Sequence, residues 1–480
     1  MRVLSVASEC VPFIKTGGLA DVVGALPGAL AEHGVDMRVL LPGYEAVIAA
    51  LGPHAAVAEE DDLFGGPARL LLGEGAGLPL YVLDAPHLFA RDGGPYLAPD
   101  GGDWPDNPQR FAALSWVAAF IARAGAGDWR PQVLHGHDWQ AGLAPTYLSQ
   151  MGGGAATILT VHNIAFPGNA DPALIETLRL DPAGYTPEGF EFYGRISALK
   201  AGLVTADRIT TVSPTYAAEL ATPAFGMGLD GVIRARGGAM RGILNGIDEA
   251  LWNPRTDPAL AATYAAPEGK AACRRALIDE MGLDPTAAGP LVVAVSRLTE
   301  QKGFDVLAEA LPSLLSHGGQ FVLLGTGTAE IEARFGALGT AHPRVAVRIG
   351  YDEAMADRII AGGDAIVVPS RFEPCGLTQM YGLRYGTLPL VARTGGLSDT
   401  VIEANHAARA VGAGTGFLVE PGSTASLVAG FERLAALWAD RPAWLGVARA
   451  AMAHPVGWSQ SAAQYAALYQ ELAPDSGLAA

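Results

Sequence analysis

The chain has 480 residues, half of them hydrophobic, enough for two or three domains with cores of their own. Its net charge of −17, from 32 basic and 49 acidic side chains, argues against a nucleic-acid backbone or an anionic membrane as partner, because either requires a surplus of Lys and Arg on one face. The three cysteines, Cys10, Cys273 and Cys375, are too far apart for a disulfide framework or a zinc ribbon and fit a reducing compartment.

In chain order, MRVLSVASECVPF is interrupted at Glu9 and reads as a first strand, Arg2–Ala7, and not as a signal peptide, so a cytoplasmic protein is expected. Lys15-Thr16-Gly17-Gly18-Leu19-Ala20-Asp21 follows as a loop that opens a helix over Leu19–His33. Two glycines admit close backbone approach, the helix start offers free N–H groups, and Lys15 adds a point charge, a set suited to an anion. A Gly-rich turn with a solvated lysine fits the same residues. Strands are predicted at Met37–Leu41 and Leu80–Leu83, with 53–77 between them read as a Gly- and charge-rich loop. A helix spans Pro108–Ala124, and its apolar stretch, Phe111–Ala122, is too short to cross a bilayer.

Val133–His135 ends in His135-Gly136-His137-Asp138-Trp139, and Ile158–Val161 ends in His162-Asn163. The His/Asp spacing matches no zinc pattern, so polar groups at strand ends are expected here and not a metal. His162 reads equally as a ligand donor and as a satisfied core histidine. Residues 165–190 read as loop, and Ile209–Val212 as a strand. A seam is expected near Asn245, within Gly242–Asp248. Beyond it, strands at Leu291–Val295, Phe321–Leu324, Val345–Ile349, Ala365–Val368 and Leu388–Val391 alternate with helices near 302–316, 328–338, 352–362, 376–386 and 397–405. Continuous apolar strands alternating with helices imply an α/β chain with parallel sheets covered on both faces, that is, two doubly wound domains. Ligands of such sheets bind beyond the carboxyl ends of the strands.

Three groups stand at such ends in the second half. Arg297 and Lys302 could hold a departing diphosphate, or form a salt-bridged pair with Glu300. Ser370–Thr378 opens a helix at which Gly376, Leu377 and Thr378 present N–H groups, while Glu373 could accept from sugar hydroxyls or serve as a helix N-terminal acid. Cys375 has no neighbouring His in sequence and reads as a small buried thiol. Gly325-Thr326-Gly327-Thr328 lacks the third glycine of a dinucleotide fingerprint, since position 330 is Glu330. Tyr351 could stack on a base or sit as a rim aromatic.

KTGGLADV, HDWQAGLAP, TVHN, YGRISALKAGL, VSPTYAAEL, LNGID, SRLTEQKG, PSRFEPCGLTQMYGLRYGTLPLV and RTGGL, running in order, together with WSQSAAQY, resemble the bacterial glycogen synthases and plant starch synthases over nearly the whole chain. The resemblance implies a GT-B fold of two Rossmann-like domains around a deep cleft: 1–244 on the acceptor side, 245–456 for the nucleotide sugar, and a C-terminal helix, 457–480, returning to the first domain. It implies transfer of glucose from ADP-glucose to the non-reducing 4-hydroxyl of an α-1,4-glucan, with retention, no metal and no cofactor. By the same resemblance Lys15 and the backbone at Gly18 bind the donor, and Arg297 and Lys302 hold its diphosphate. Glu373 orients the glucose, and Gly376, Leu377 and Thr378 hold phosphate. His162, Asp138 and Asn245 lie near the transferred sugar, Asp21 shapes the site, and Tyr351 faces the adenine. Where wider retaining GT-B families carry a second Glu, this chain has Tyr381. Rival readings are a transferase using UDP-glucose or a small acceptor, a pyridoxal-phosphate-dependent phosphorylase, and a non-catalytic glucan-binding regulator.

Overall fold

Arg2–Val6 is apolar and buried from its second residue on, and in the computed structural model it forms β1, hydrogen-bonded on both edges. The structure describes residues 1–473, so the last part of the expected helix over 457–480 lies outside the described residues. The chain divides into two compact units, Met1–Asn245 joined by the segment from Trp458, and Gly246–Gly457.

The first unit is built on nine strands: β1, β2 (Asp36–Pro42), β3 (His54–Glu60), β4 (Ala68–Gly75), β5 (Leu78–Asp84), β6 (Val133–His137), β7 (Ala156–Val161), β11 (Arg208–Thr211) and β12 (Met240–Gly242). Their order is β12-β11-β7-β6-β1-β2-β5-β4-β3. All neighbours pair in parallel except β3–β4 and β4–β5. A small antiparallel sheet of β8 (Asn169–Ala170), β9 (Glu191–Phe192) and β10 (Arg195–Ser197) stands apart. Residues 53–77, expected to be loop, therefore hold two strands. At the rim of the sheet β3 has little burial to gain, so its residues are charged or small and mostly exposed, and the period-2 signal is diluted. The sharp reversal between β4 and β5 is made by Ala76 and Gly77, both at positive φ.

The helix Ser459–Leu472 lies in this same unit. Trp458, Tyr465, Leu468 and Tyr469 share one buried cluster with Val22, Leu26 and Leu30 of the helix Gly18–Ala31 and with Val133 and Ile158 of the sheet. Leu468→Ala is expected to lower the stability of this unit by about 2–5 kcal/mol. In calorimetry, which resolves units that melt separately, the transition of the first unit should move to lower temperature while that of the second stays in place.

The second unit carries six strands, β13 (Leu291–Val295), β14 (Gln320–Gly325), β15 (Val345–Ile349), β16 (Ala365–Val368), β17 (Leu388–Ala392) and β18 (Phe417–Val419). They are all parallel, in the order β15-β14-β13-β16-β17-β18. The order in which successive strands are added reverses at the β13/β16 boundary and makes a topological switch point, where side chains beyond the strand ends are free to face a ligand. Among the described residues no helix is long and apolar enough to cross a membrane.

Candidate active site

In the first unit, β1 delivers the chain to Glu9, whose carboxylate is buried at 2% exposure. It accepts from the Thr16 hydroxyl at 2.6 Å, from the Gly17 amide at 3.3 Å, and from the Thr16 amide and the Tyr96 hydroxyl. Glu9 thus organises the Lys15–Gly18 loop from within. It also consumes amides that the sequence had left open for a ligand, so that Gly18 and the helix behind it carry what remains. Tyr96 is held in turn by Ser8 at 2.7 Å. Burial and the adjacent Glu9 charge push the Tyr96 phenol well above its ordinary value. Behind it the buried Arg110 donates to the carbonyls of Leu88 and Pro95, both at 2.8 Å, and fixes the loop that presents Tyr96. Lys15, expected as a solvated or phosphate-binding cation, is exposed and ion-paired with Asp21 at 2.8 Å. Three residues of this arrangement, Glu9, Tyr96 and Arg110, were not singled out by sequence. Glu9 did leave a signal, a charged residue in an apolar strand-end run beside a Gly-rich loop. Tyr96 and Arg110 left none, being 87 and 101 residues away in the chain.

The ends of β6 and β7 bring together His135, His137, Asp138 and His162. His135 is bound by Tyr469 at 2.8 Å and Thr160 at 2.6 Å. His137 lies 3.1 Å from Ser5 and 3.0 Å from His162. These imidazole nitrogens are engaged by hydrogen bonds, and among the described residues no group of three His, Cys, Asp or Glu side chains is arranged to hold a metal ion. Burial lowers His135 to about 3, pulls His137 well below its usual value, and acts in the same direction on His162, part of whose surface is open. Asp138 has φ 53 and ψ −166, a region that few side chains occupy. Its carboxylate accepts from the amides of His162 at 2.6 Å and Asn163 at 3.3 Å. Burial nevertheless raises its pKa to about 7, the two amide bonds opposing. Its unfolded value is near 4, so the folded state holds a proton there that the unfolded chain releases. The stability this provides is complete below about pH 4 and declines as pH rises through 7. Asn245 is buried, and its Oδ1 has no hydrogen-bond partner among the described residues.

In the second unit the cation pair expected near Glu300 takes a different form. Lys302 donates to Glu373 at 2.6 Å, and Ser370 donates to the same carboxylate oxygen at 2.9 Å. Arg297 is exposed and in no ion pair among the described residues. Gly303, at φ 71, closes the turn behind Lys302, and any side chain there would meet the Pro369 carbonyl oxygen at 2.1 Å. That close approach is what sets Lys302 beside Glu373, 71 residues on. Arg371 joins Asp305 at 2.6 Å and the Glu300 carbonyl at 2.6 Å, tying the 370–373 segment to the helix Phe304–Ser316 and holding the Asp305 carboxyl below its usual range. Gly395, at φ 43, packs so closely that a Cβ would lie 2.0 Å from the Glu373 carbonyl oxygen.

Gly376 and Leu377 precede the helix Thr378–Tyr385. Gln379, fully buried, donates to the carbonyls of Cys375 at 3.1 Å and Gly376 at 2.9 Å and so shapes this start. Cys375 is buried, as are Cys10 and Cys273. The Gly325–Gly327 turn is already occupied: Glu332 accepts from the Thr326 hydroxyl at 2.8 Å and the Gly327 amide at 2.7 Å. Tyr351 stands 79% exposed after β15. Tyr381 stacks on Trp252, with centroids 3.6 Å apart and planes at 14°. Lys15, Gly18, Asp21, Asp138, His162 and Asn245 thus belong to the first unit, and Arg297, Lys302, Tyr351, Glu373, Gly376, Leu377 and Thr378 to the second.

Residues 2–235 match the family described as starch synthase catalytic domain, and residues 289–436 match glycosyl transferases group 1. The glycogen synthase of Paracoccus denitrificans is 59% identical over 98% of this chain and 99% of its own length. That of Jannaschia sp. is 56% identical over 98% and 99%. The catalytic domain of starch synthase IV from Arabidopsis thaliana, solved with ADP and acarbose bound, superposes with a TM-score of 0.87 at 31% identity, covering 98% of this chain and 99% of that one. Sucrose-phosphate synthase from Thermosynechococcus elongatus, 20% identical with a TM-score of 0.60 over 99% and 100%, shares the fold.

Proposed function

The chain belongs to the glycogen and starch synthase family of GT-B glycosyltransferases, and from that premise we propose that it transfers glucose from ADP-glucose to the non-reducing 4-hydroxyl of an α-1,4-glucan, with retention at the anomeric carbon. The observation that carries this reading is the Lys302–Glu373–Ser370 cluster just past the ends of β13 and β16, at the switch point of the second unit. A cation stored against a carboxylate is ready to turn toward incoming phosphate, and the freed carboxylate is then an acceptor for sugar hydroxyls. The ADP and acarbose bound by the starch synthase IV domain support a nucleotide-sugar donor and a glucan acceptor.

In this mechanism the bond from the glucosyl carbon to the phosphate oxygen breaks as the bond to the acceptor 4-oxygen forms on the same face. The hydroxyl proton passes to the departing phosphate. Arg297, Lys302 and the amides at Gly376, Leu377 and Thr378 stabilise the charge that grows on the leaving diphosphate. Lys15 and the Gly18 amide act on the donor from the first unit, with Asp21 holding Lys15. Asp138, His162 and the Asn245 side-chain oxygen bind hydroxyls of the transferred sugar, and Tyr351 faces the adenine. Glu373 orients the glucose without forming a covalent intermediate. No metal and no resident cofactor is assigned a role.

The test is elongation of glycogen by the purified protein with ADP-glucose and UDP-glucose in competition, read as nucleotide release and glucan growth. ADP-glucose is expected to be preferred, with ADP inhibiting competitively. A preference for UDP-glucose, or product only with a small acceptor, would replace this reading with a related transferase. Glucan binding without nucleotide release would make the chain a regulator.

A further inference from the structure

The histidine cluster holds a relay that the reading above does not use. His137 is fully buried at the end of β6, its ring tilted at 34° against that of His135 with centroids 4.3 Å apart. Its two nitrogens face different groups: Nε2 lies 3.1 Å from the Ser5 hydroxyl, and Nδ1 lies 3.0 Å from His162 Nε2. Ser5 is fully buried on β1, between β2 and β6, and among the described residues its hydroxyl reaches only His137. Were Nε2 of His137 protonated, the Ser5 O–H would be a buried donor aimed at nothing, the costlier of the two ways to orient this pair. The Ser5 hydroxyl therefore donates to Nε2. A neutral His137 then carries its proton on Nδ1 and donates to His162 Nε2, which leaves the His162 proton on Nδ1. Burial keeps these imidazoles neutral, so each ring holds a single proton to be placed. Nδ1 of His162 makes no hydrogen bond among the described residues, and the residue is partly open to solvent.

We propose that His137, backed by Ser5, is a positioning residue that fixes His162 as its Nδ1–H tautomer, so that the ring presents a hydrogen-bond donor to a sugar hydroxyl oxygen of the glucosyl group. The inference rests on the proposed placement of His162 at the transferred sugar. A fixed donor contributes most where the hydroxyl oxygen must be held as the glucosyl carbon becomes cation-like, so its loss falls on turnover more than on donor affinity. Partners that orient metal-ligating imidazoles from behind carry about 10–100-fold in metal affinity or activity, and a loss of the same order is expected for this ring.

The experiment combines kinetics with nitrogen-15 NMR of histidine-labelled protein, in which two-bond N–H correlations separate the two tautomers. In the unaltered protein His162, assigned by comparison with His162→Ala, is expected to show the Nδ1–H pattern. His137→Phe keeps a ring against His135 but removes both hydrogen bonds. It should lower kcat about 10–100-fold with KM for ADP-glucose little changed, while His137→Asn, which restores a donor near the Nδ1 position, should recover part of the loss. Ser5→Ala should mix the His162 tautomers and lower kcat in the same sense. An Nε2–H pattern for His162 in the unaltered protein, or unchanged kcat and tautomer in Ser5→Ala, would overturn the proposal, and both readouts remain if His137→Phe fails to fold. The placement of His162 is tested separately: if His162→Ala retains full turnover, it is that placement that fails, whatever the tautomer.

Discussion

Replacing Lys302 by alanine is expected to lower kcat by about 10²–10³-fold, the loss typical of removing one preorganised donor from a developing oxyanion. In the structure the ammonium is held by Glu373 at 2.6 Å, with Ser370 on the same oxygen. The variant therefore loses two things together, a cation for the leaving diphosphate and the counter-charge of a buried carboxylate. Glu373→Gln separates them. It keeps Lys302 and a hydrogen-bonding group of the same shape, so the loss measured in that variant belongs to sugar orientation and not to the leaving group. Single-turnover rates with ADP-glucose distinguish the cases, because Lys302→Ala should slow the chemical step itself. The lesion should also shrink with a donor analogue whose leaving group is less basic, since less charge then needs stabilising. A Lys302→Ala enzyme with near-normal turnover would remove Lys302 from the diphosphate site.

Glu9→Ala is expected to reduce kcat/KM for the donor by at least about 10²-fold. The carboxylate takes four hydrogen bonds from Thr16, Gly17 and Tyr96. Hydrogen bonds to a charged group contribute about 1.5–3 kcal/mol each, and buried donors left without an acceptor are costly. Once freed, the Thr16 and Gly17 amides would seek water or other partners, and the Lys15–Gly18 loop would lose the geometry in which it meets a ligand. Tyr96→Phe removes one of the four bonds and should cost about tenfold or less. Thermal unfolding of each variant separates this local loss from global destabilisation. Wild-type kcat/KM in a folded Glu9→Ala protein would show that the loop holds its shape without the carboxylate.

Much of the architecture was legible from one dimension. The inner strands of the second unit, β13, β14, β16 and β17, are buried on both faces, so they read as unbroken apolar runs, and the structure places them and the edge strand β15 where the sequence expected them. The hairpin of β3 and β4 was not legible, because the edge strand β3 faces water and resembles a loop in composition, while Gly73, Glu74 and Gly75 interrupt the apolar run of β4. Candidate ligand-binding residues were recognisable because an α/β sheet puts them just past a strand, where a glycine, a cation or a carboxylate interrupts an apolar run. That rule located Lys15, Asp138, His162, Arg297, Lys302 and Glu373 without coordinates.

What each of these groups touches was decided in three dimensions. Sequence neighbours suggested Glu300 as the carboxylate beside Lys302, whereas the folded chain supplies Glu373 from a separate strand end. Ser5 and His137 are 132 residues apart and meet because β1 and β6 are paired in register, Ser5 against His135. The amino-acid order determined the fold class, the strand ends and the kinds of side chain at them, because burial and periodicity are local properties of a chain. The pairing of charges, the proton on each imidazole and the carboxylate beneath the Gly-rich loop depend on distances of about 3 Å between residues far apart in sequence, and hydrogen bonds of that reach exist only once strands and loops have been packed together.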